Sequence, residues 1–444
     1  MSFTRALSFT GAAVAQSSRR HPLTKRNLAS AFHTSAWRNK SCVVEWGYGS
    51  TDRKVFESDS VIPTGPNKTW IAAGASHRLI ALSGESETGI LGEGMNHSGQ
   101  LGNGIREEGS TFSAIDTSGL DILGMACGRE HSMLLAKPQS EDPSAPDQDA
   151  KTLLFGFGNS MYGQLGLGGS KDTLSKEFAG QDVEGFVFEP SPTSVELPDP
   201  SENVVQVQCG LDHTVLRTDQ GNLYSMGWGA DGQLGLGENS SSDRAVPTLI
   251  ERLSFKARGK EVGKVRDISS STDFTLALLD NNQIWIWGNS EYGQCMLNKK
   301  IDRILEPIHI PHPIPESEVI KAVAAGGTFG LLLTESGKVY TCGYGALGLG
   351  RDKTQILMPE QIPSLSNIRK IVANTDYAAA INDKGELFTW GTCGETGRLG
   401  HGEFGHCFEP KRVKMPQELE GQSVFVHEVA LGQDGGLAVV ELDP

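Results

Sequence analysis

The sequence has few of the features that mark disulfide-bonded, metal-binding or membrane-spanning proteins. Its 444 residues include seven cysteines, and no two of them form a Cys-x-x-Cys pair. An odd count without such pairs argues against a disulfide framework and against a zinc ribbon. The chain also lacks a run of about 18 apolar residues that could cross a bilayer as a helix. Aromatic residues are scarce at 7 %, but apolar residues together reach 38 %, which is enough for a sizeable core.

Acidic residues are missing from one part of the chain. The first 44 residues contain no Asp or Glu, whereas the whole chain has a net charge of −15. This segment carries seven basic residues, which are Arg5, Arg19, Arg20, Lys25, Arg26, Arg38 and Lys40. An Arg-rich, Ser/Ala-rich segment without acids is typical of a mitochondrial presequence, and no apolar stretch follows that would make it a secretory signal. The alternative is a disordered basic tail that binds nucleic acid.

From this composition we expect residues 1–40 to be a disordered mitochondrial presequence. The protein is then expected in the mitochondrion, in the matrix or at the matrix face of the inner membrane. Because no transmembrane segment is predicted, any association with that membrane would be peripheral.

Extended amphipathic segments with a 3.6-residue period are also absent, which argues against βαβ units and helical solenoids. Glycine, in contrast, is abundant: 54 residues, about 12 % of the chain against an average near 7 %. One short turn segment recurs seven times and contains glycine in five of its copies, as in Cys127-Gly128-Arg129-Glu130-His131 and Cys209-Gly210-Leu211-Asp212-His213. Each copy lies between two short alternating apolar runs, which predicts two strands joined by a tight turn.

Two more strands complete each repeat. A third strand ends in an aromatic residue, Cys or Met followed by glycine, as in Trp287-Gly288 and Trp390-Gly391, and a Gly-x-Leu-Gly loop follows it in most copies. Glycine in the turn before this strand supplies a positive φ; in one copy Gln283 takes that place and predicts a slightly strained turn. The fourth strand is expected to open with a proline, where a missing N–H is tolerable at a sheet edge; these prolines are Pro247, Pro307, Pro359 and Pro410.

Seven such four-stranded units predict the fold. A small sheet cannot bury both of its faces alone, and radial stacking around an axis buries them without leaving the two hydrophobic edges of an open array. We therefore predict an all-β, seven-bladed β-propeller over residues 41–444. The strand Cys42–Gly47 stands alone at the start, and the last unit, residues 426–440, lacks a strand of this type. The N-terminal strand is predicted to pair with the last blade and close the ring.

These motifs resemble the regulator of chromosome condensation repeat family, over about residues 42–442. The Trp-Gly strand end, the Gly-Gln-Leu-Gly-Leu-Gly loop and the Cys-Gly-x-x-His turn carry the resemblance, and the runs around Trp228 and Trp287 resemble the mitochondrial, exchange-factor-like branch of the family. The resemblance implies a seven-bladed propeller that promotes guanine-nucleotide exchange on the dynamin-like GTPase of inner-membrane fusion.

The same resemblance implies an alternative function. The protein would be an assembly factor that binds the large mitochondrial ribosomal RNA and its pseudouridylation enzymes, and so supports mitochondrial translation. Its partners would then be ribosome-assembly or RNA-modifying proteins and the ribosomal RNA itself.

The sequence shows no pattern typical of a conventional active site. No Ser-His-Asp set or paired-carboxylate spacing stands out, and we predict no catalytic residue, no cofactor and no metal. His77, His131 and His213 occupy equivalent repeat positions, but positions on different blades are too dispersed to bind one metal ion, and we interpret them as turn-stabilising. The Gly-x-Gly-x-x-Gly matches at Gly227 and Gly343 lack a following helix, so they are interpreted as repeat turns rather than dinucleotide sites.

Contacts with a GTPase are predicted in the inter-strand loops. An acidic surface suits the basic phosphate-binding region of a GTPase, and the candidate contact residues are Trp228, Asp231, Glu291 and Tyr292. Packing of Trp228 within the propeller is the alternative. Phe186 and Phe188 lie in a long insertion, residues 169–200, and are further candidates because exposed apolar residues in long loops often contact partners. Packing of both rings on the neighbouring blade is the alternative there.

One basic cluster stands out from the acidic body and is the candidate RNA contact. It consists of Lys256, Arg258, Lys260, Lys264 and Arg266. Clustered Lys and Arg side chains are suited to phosphate contacts. A solvated loop without a partner is the alternative.

Charge reversal tests this cluster. Replacing Lys256, Arg258, Lys260 and Lys264 with Glu is expected to abolish crosslinking of the protein to mitochondrial ribosomal RNA, because the phosphates would meet repulsion instead of attraction. Crosslinking yield in mitochondria is the measurement. Unchanged crosslinking would assign the RNA contact to another surface or to protein partners.

Overall fold

The computed structural model describes residues 41–48, 50–56, 71–82, 89–107, 113–139, 151–169, 187–237, 242–254, 263–311 and 313–442. The predicted presequence, residues 1–40, lies outside these ranges. Within them the chain forms 28 strands and two short 3₁₀ turns, Glu251–Leu253 and Gln417–Leu419. The strands make seven four-stranded antiparallel sheets, which confirms the prediction of a seven-bladed, all-β propeller.

The strands are numbered in chain order. The first two are β1 (Ser41–Gly47) and β2 (Ser50–Phe56). Blade one follows with β3 (Ile71–Ala73), β4 (His77–Leu82), β5 (Gly89–Gly94) and β6 (Ser113–Ile115). Blade two has β7 (Leu120–Cys127), β8 (His131–Pro138), β9 (Leu153–Asn159) and β10 (Phe188–Ser194). Blade three has β11 (Val204–Cys209), β12 (His213–Thr218), β13 (Leu223–Gly227) and β14 (Arg244–Leu249).

The other blades repeat this order. Blade four has β15 (Val265–Ser271), β16 (Phe274–Leu279), β17 (Ile284–Asn289) and β18 (Arg303–Ile310). Blade five has β19 (Ile320–Ala325), β20 (Phe329–Thr334), β21 (Val339–Tyr344) and β22 (Gln355–Gln361). Blade six has β23 (Ile368–Asn374), β24 (Tyr377–Asn382), β25 (Leu387–Gly391) and β26 (Cys407–Arg412). The last strands, β27 (Val424–Leu431) and β28 (Gly435–Leu442), join β1 and β2 in blade seven.

The first strand of each blade is the innermost. These seven strands, β3, β7, β11, β15, β19, β23 and β27, contact one another in a closed ring. They surround a central channel of about 410 Å³. The hydrophobic clusters lie between neighbouring blades, where each sheet covers the apolar face of the next.

The ring closes through both ends of the chain. Strand β1 pairs antiparallel with β28, with Val43 opposite Val439 and Val44 opposite Ala438. This confirms the predicted N-terminal closure. The N-terminal contribution is larger than predicted, because β2 pairs with the other edge of β1 and serves as the outer strand. Blade seven is therefore half N-terminal and half C-terminal.

The tryptophan of the third strand lies against the preceding blade. Trp46 and Trp287 are almost completely buried. Their indole N–H groups donate to the carbonyl oxygens of Arg398 (2.8 Å) and Gln233 (3.0 Å), which lie in the Gly-x-Leu-Gly loops of blades six and three. The Trp-Gly strand end and the Gly-x-Leu-Gly loop are therefore two halves of one inter-blade contact.

Two local predictions are wrong in the exact position of a residue: the one that replaces a turn glycine, and the prolines of the outer strands. Asn282, and not Gln283, replaces the glycine of the tight turn; its φ is +68°, and asparagine tolerates this left-handed conformation better than most residues. The prolines lie in the middle of the outer strands rather than at their start. Pro247 and Pro410, for example, sit where the pairing register of β14 and β26 shifts. Such a bulge leaves a position without a ladder hydrogen bond, which a proline can occupy.

Truncation tests the closure. Deleting residues 1–47 removes β1, whose Val43, Val44 and Trp46 are buried, and is expected to lower the melting temperature by more than about 10 °C. Losing one large buried side chain already costs about 2–5 kcal/mol, and 1 kcal/mol corresponds to about 2–4 °C in a domain of 150–250 residues. Deleting residues 1–40 is the matched control and should leave the melting temperature unchanged. Equal melting temperatures for the two variants would contradict closure by β1.

Candidate functional site

The propeller has two faces that carry different parts of each blade. Because neighbouring strands are antiparallel, the turn between the first and second strands and the loop between the third and outer strands lie at the same face. We call this the upper face and the opposite one the lower face. The loops that hold Trp228, Asp231, Glu291 and Tyr292 are all on the upper face, whereas the ends of the described chain, Ser41 and Leu442, lie at the lower ends of β1 and β28.

One backbone contact recurs on the upper face in all seven blades. The third strand reaches its end at a glycine, and in blade three a Cβ at Gly227 would lie only 2.4 Å from the carbonyl oxygen of Asp212 in the first turn. Gly227 also has a φ of +106°, so glycine is required on both grounds. The next residue, Trp228, donates its backbone N–H to the same oxygen at 2.8 Å.

The acceptor residues of these seven bonds form a ring around the axis. The bonds are 2.7–3.0 Å long, and their acceptors are Ser76, Glu130, Asp212, Asp273, Thr328, Asp376 and Asp434. Five of the seven carry a carboxylate, and Glu130, Asp212 and Asp273 occupy consecutive blades. We call these five residues the acidic ring.

Two members of the acidic ring resist ionisation. The pKa of Asp273 is raised to about 6, chiefly by burial and also by the nearby carboxylates of Asp231 and Asp212, against the opposing effect of Arg129. Burial also raises the pKa of Asp212, although the guanidinium of Arg129 lies 3.0 Å from its carboxylate. At neutral pH these carboxylates are charged at an energetic cost, which a cation from outside could offset.

Another member is held in the ionised form. The carboxylate of Glu130 is hydrogen-bonded to His97 Nε2 (2.8 Å), Ser98 Oγ (2.8 Å) and Asn159 Nδ2 (3.1 Å). Burial acts to raise the pKa of Glu130, but these hydrogen bonds outweigh it and the pKa is lowered. The acidic ring thus keeps a negative charge at Glu130 under all near-neutral conditions.

The loop glutamine connects the acidic ring with the adjacent loop. In blade three, Gln233 Nε2 donates to Asp273 Oδ1 at 3.1 Å, and Gln233 Oε1 accepts the backbone N–H of Asp231 at 2.8 Å. One buried amide therefore fixes the loop of blade three against the turn of blade four. This arrangement brings the predicted contact residue Asp231 close to the acidic ring.

The other predicted loop residues lie in aromatic pairs that bridge neighbouring blades. Trp228 is half-buried with its ring centroid 6.0 Å from that of Tyr162, and Tyr292 stacks on Tyr344 at 5.8 Å. Glu291, next to Tyr292, is exposed. The contact of Trp228 with Tyr162 agrees with the packing alternative, yet each pair keeps part of its surface open to the upper face. Their contact with a partner stays a prediction.

The insertion of blade two supports the packing alternative for one of its two phenylalanines. Phe188 begins β10 and is half-buried, and the guanidinium of Arg106 from blade one lies 4.1 Å from its ring centroid. Phe186 lies outside the described residues. Partner contact by either ring stays a prediction.

The basic cluster lies on the lower face, as far as it is described. Lys264 and Arg266 are exposed at the lower end of β15, but the guanidinium of Arg266 also donates to the carbonyl oxygen of Ile320 in blade five. Lys256, Arg258 and Lys260 lie outside the described residues. The structure therefore places the described candidates for GTPase contact and the described candidates for RNA contact on opposite faces.

The three repeat histidines connect blades. Each is buried, and its Nε2 is hydrogen-bonded to a hydroxyl of the next blade: His77 to Ser132 (2.7 Å), His131 to Thr214 (3.1 Å) and His213 to Ser270 (2.9 Å). Burial lowers the pKa of each imidazole to about 3, so all three are neutral at pH 7. These histidines therefore connect neighbouring blades in addition to stabilising their own turns. Among the described residues, no group of three or more His, Cys, Asp or Glu could hold a metal ion.

The imidazole of the same histidine explains why the turn has a glycine three positions before it. A Cβ at Gly128 would lie 2.1 Å from His131 Cε1, and one at Gly210 would lie 2.0 Å from His213 Cε1. The imidazole occupies the space that a side chain would need. The Cys-Gly-x-x-His spacing is therefore a packing requirement of the blade.

Sequence reasoning missed the acidic ring itself. Glu130, Asp212 and Asp273 stand directly before the second strand, and an acid at this position in five of the seven turns was visible in the sequence.

Sequence reasoning also missed the exposed apolar residues on the same face. Four large hydrophobic residues are 46–58 % exposed in the upper-face loops: Met95, Ile105, Tyr344 and Phe404. A carboxylate centre with exposed apolar residues around it is suited to a protein partner with basic and apolar groups.

Across the described ranges, no helix has the length and apolar character needed to cross a membrane.

Family models match the repeats. The model of the regulator of chromosome condensation (RCC1) repeat matches residues 153–216, 220–278 and 384–439, and a second model of the same repeat matches residues 204–233, 265–294 and 320–348. The chain is 33 % identical over 309 residues to the mouse RCC1-like G exchanging factor-like protein, which covers 67 % of this chain and 59 % of the relative. For the human protein of that name the identity is 32 % over 311 residues, covering 67 % and 58 %. The chain thus spans about three fifths of the length of these relatives.

Solved structures share the propeller. The crystal structure of human WBSCR16 is similar with a TM-score of 0.70 at 25 % sequence identity, over 91 % of this chain and 99 % of that one. Prp20p from Saccharomyces cerevisiae, described together with its binding to Gsp1p and histones, has a TM-score of 0.67 at 20 % identity, over 92 % of both chains. The latter similarity supports the fold alone.

The raised pKa of Asp273 predicts a pH-dependent effect on stability. Its pKa is higher in the folded than in the unfolded protein, so folding is favoured by protonation and this contribution is lost as the pH rises through about 6. Asp273→Asn removes the charge and should stabilise the protein at pH 7.5 by on the order of 2 kcal/mol, with a smaller gain at pH 4.5. Melting temperatures at both pH values measure this.

Asp352→Asn is the matched control, because Asp352 is exposed on the same face. It should change neither melting temperature. An Asp273→Asn variant that is less stable than the original at pH 7.5 would contradict the electrostatic description of the acidic ring.

Proposed function

Because this chain belongs to the regulator of chromosome condensation repeat family, we propose that it is a guanine-nucleotide exchange factor for a GTPase of the mitochondrion. Its upper face is the docking surface. The observation that carries the proposal is the acidic ring, in which burial raises the pKa values of Asp212 and Asp273, so that their ionisation costs more than it does in water. The names of the mouse and human relatives, which describe exchanging-factor-like proteins, support the same class of function.

Exchange needs no conventional active site. An exchange factor binds the nucleotide-free GTPase more tightly than the nucleotide-bound form, and this difference in affinity opens the nucleotide site. Opposing a nucleotide bound with nanomolar affinity takes about 12 kcal/mol. The interface must therefore be large and contain strongly contributing residues. The upper face offers aromatic pairs around Trp228 and Tyr292, exposed apolar residues and a charged centre.

The acidic ring supplies the chemistry that acts on the nucleotide site. A GTPase holds the nucleotide phosphates with a lysine and a magnesium ion. A carboxylate from the docking protein can take over either positive charge once the phosphates begin to leave. Asp273 and Asp212 gain from such a contact, because a cation relieves the cost of keeping them ionised at neutral pH.

The partner and the compartment are part of the proposal. We expect the dynamin-like GTPase of inner-membrane fusion as partner, in the matrix or at the matrix face of the inner membrane. The support for this location is the acid-free N-terminal segment with seven basic residues, whose composition is that of a presequence. Residues 1–40 would be removed on import, and the propeller begins at Ser41.

The RNA-related function is kept as a second proposal. Its support is that Lys264 and Arg266 are exposed on the lower face, away from the acidic ring, so a phosphate backbone could approach there without meeting the ring's carboxylates. The two functions would use different surfaces and could coexist in one molecule.

An exchange assay tests the first proposal. The propeller is expected to accelerate the release of labelled GDP from the purified inner-membrane dynamin-like GTPase. Asp273→Asn should remove at least about 90 % of the acceleration, since losing one charge-assisted contact in a partly buried site costs about 1.5–3 kcal/mol. Because this variant is expected to be the more stable one, lost activity could not be explained by unfolding.

The matched control is Asp383→Asn, which removes the same charge from an exposed turn on the lower face. It should keep full activity. If an excess of folded propeller leaves GDP release from mitochondrial GTPases unchanged, the exchange proposal is wrong. An inventory of co-purified mitochondrial proteins dominated by ribosome-assembly factors would then favour the RNA-related function.

A further inference from the structure

One loop glutamine lacks an acceptor for its side-chain N–H group, whereas three equivalent glutamines each have one. Gln100, Gln233 and Gln294 each donate from Nε2 to a turn on the upper face, at Ser76 Oγ, Asp273 Oδ1 and Gly327 O. Gln164 of blade two is completely buried, and its Oε1 accepts the N–H of Tyr162 in the same way as the others. Its Nε2, however, has no hydrogen-bond partner among the described residues.

The acceptor that fits Gln164 is Asp212. Gln233 of blade three donates to Asp273, the ring residue of the next blade, and the corresponding residue for Gln164 is Asp212. The two residues adjoin: a Cβ at Gly227 would lie 2.4 Å from the carbonyl oxygen of Asp212 and 3.0 Å from Gln164 Cβ.

Arg129 holds the carboxylate of Asp212 instead. Its Nη2 lies 3.0 Å from Asp212 Oδ2, and its side chain is 48 % exposed, against 8 % for that of Asp212. Arg129 therefore approaches from the solvent side, whereas Gln164 is completely buried. The carboxylate of Asp212 has an exposed, charged donor in place, and a buried, neutral amide without a partner lies nearby.

The unpaired amide of Gln164 lowers the energetic cost of displacing Arg129 from the carboxylate of Asp212. A buried N–H without an acceptor is unfavourable, and Gln164 Nε2 carries this cost in the free protein, where Asp212 Oδ2 is paired with Arg129. When Arg129 leaves, Asp212 can turn to Gln164, so part of the lost ion-pair energy is recovered. A half-exposed ion pair is itself weak.

We infer that Arg129 is a displaceable plug of the acidic ring: it occupies, in the free protein, the position that a lysine or arginine side chain of the partner takes on docking. The plug pairs with Asp212 and partly offsets the charge of Asp273 until the partner arrives, and it then yields its place to the partner's cation. This inference rests on the proposed use of the upper face for docking, and it adds the residue that sets the affinity for cationic groups there.

A binding experiment with a simple cation tests the plug without any GTPase. The probe is a fluorescent deca-lysine peptide, and its dissociation constant is measured by anisotropy on the folded protein at low salt. Arg129→Gln should bind the peptide about threefold to fivefold more tightly, the size expected from one half-exposed ion pair. Arg252→Gln is the matched control, because it removes the same charge from an exposed position on the lower face, and should have a clearly smaller effect.

A crystal structure of Arg129→Gln provides a second measurement. It should show the Asp212 carboxylate turned toward Gln164 Nε2, at a hydrogen-bond distance. If the variant binds the peptide no more tightly than the Arg252→Gln control, or if Asp212 keeps its orientation, the plug is refuted. Weaker binding would also refute it. Because neither measurement involves GDP release, their failure leaves the exchange proposal untouched, and failure of the exchange assay leaves the plug untouched.

Discussion

The structure depends on the close approach of two backbone segments at the upper face of every blade. A third-strand glycine lies so close to the first turn that a side chain would collide with the turn's carbonyl oxygen, as at Gly227 and Asp212. The following N–H then bonds to that oxygen. This contact fixes the position of the first turn relative to the loop that follows the third strand. Because the glycine follows the tryptophan in the Trp-Gly strand end, the contact also positions the indole against the preceding blade. The inter-blade core and the relative positions of turn and loop at the upper face therefore follow from one constraint.

The side chains of the turn are free of this constraint, since only its backbone takes part. The position before the second strand can consequently carry any polar residue without damage to the fold, and in five blades it carries an acid. Asp273 keeps its carboxylate although burial and its neighbours raise its pKa to about 6. A group that costs stability and plays no part in the repeated backbone contact is typical of a binding surface.

The two faces of the propeller carry the candidate residues of the two proposed functions separately. The acidic ring, the aromatic pairs and the exposed apolar residues lie on the upper face, whereas Lys264 and Arg266 lie on the lower face beside the chain ends. Charges of opposite sign can be kept on one small domain in this way because a closed ring of sheets holds its faces apart. The separation also means that a protein partner and a nucleic acid would not compete for one surface.

The sequence by itself determined the repeat, the number of blades and the closure by β1, because glycine turns, alternating apolar runs and a lone Trp-Gly strand are local signals whose physical causes act within a few residues. Only the tertiary structure decided that Glu130, Asp212 and Asp273 form one charged group, that Arg129 rather than Gln164 holds Asp212, and that the prolines occupy bulges. These features depend on which blade lies beside which and on the burial of each carboxylate, and such distances between residues far apart in the chain exist only once the ring is closed.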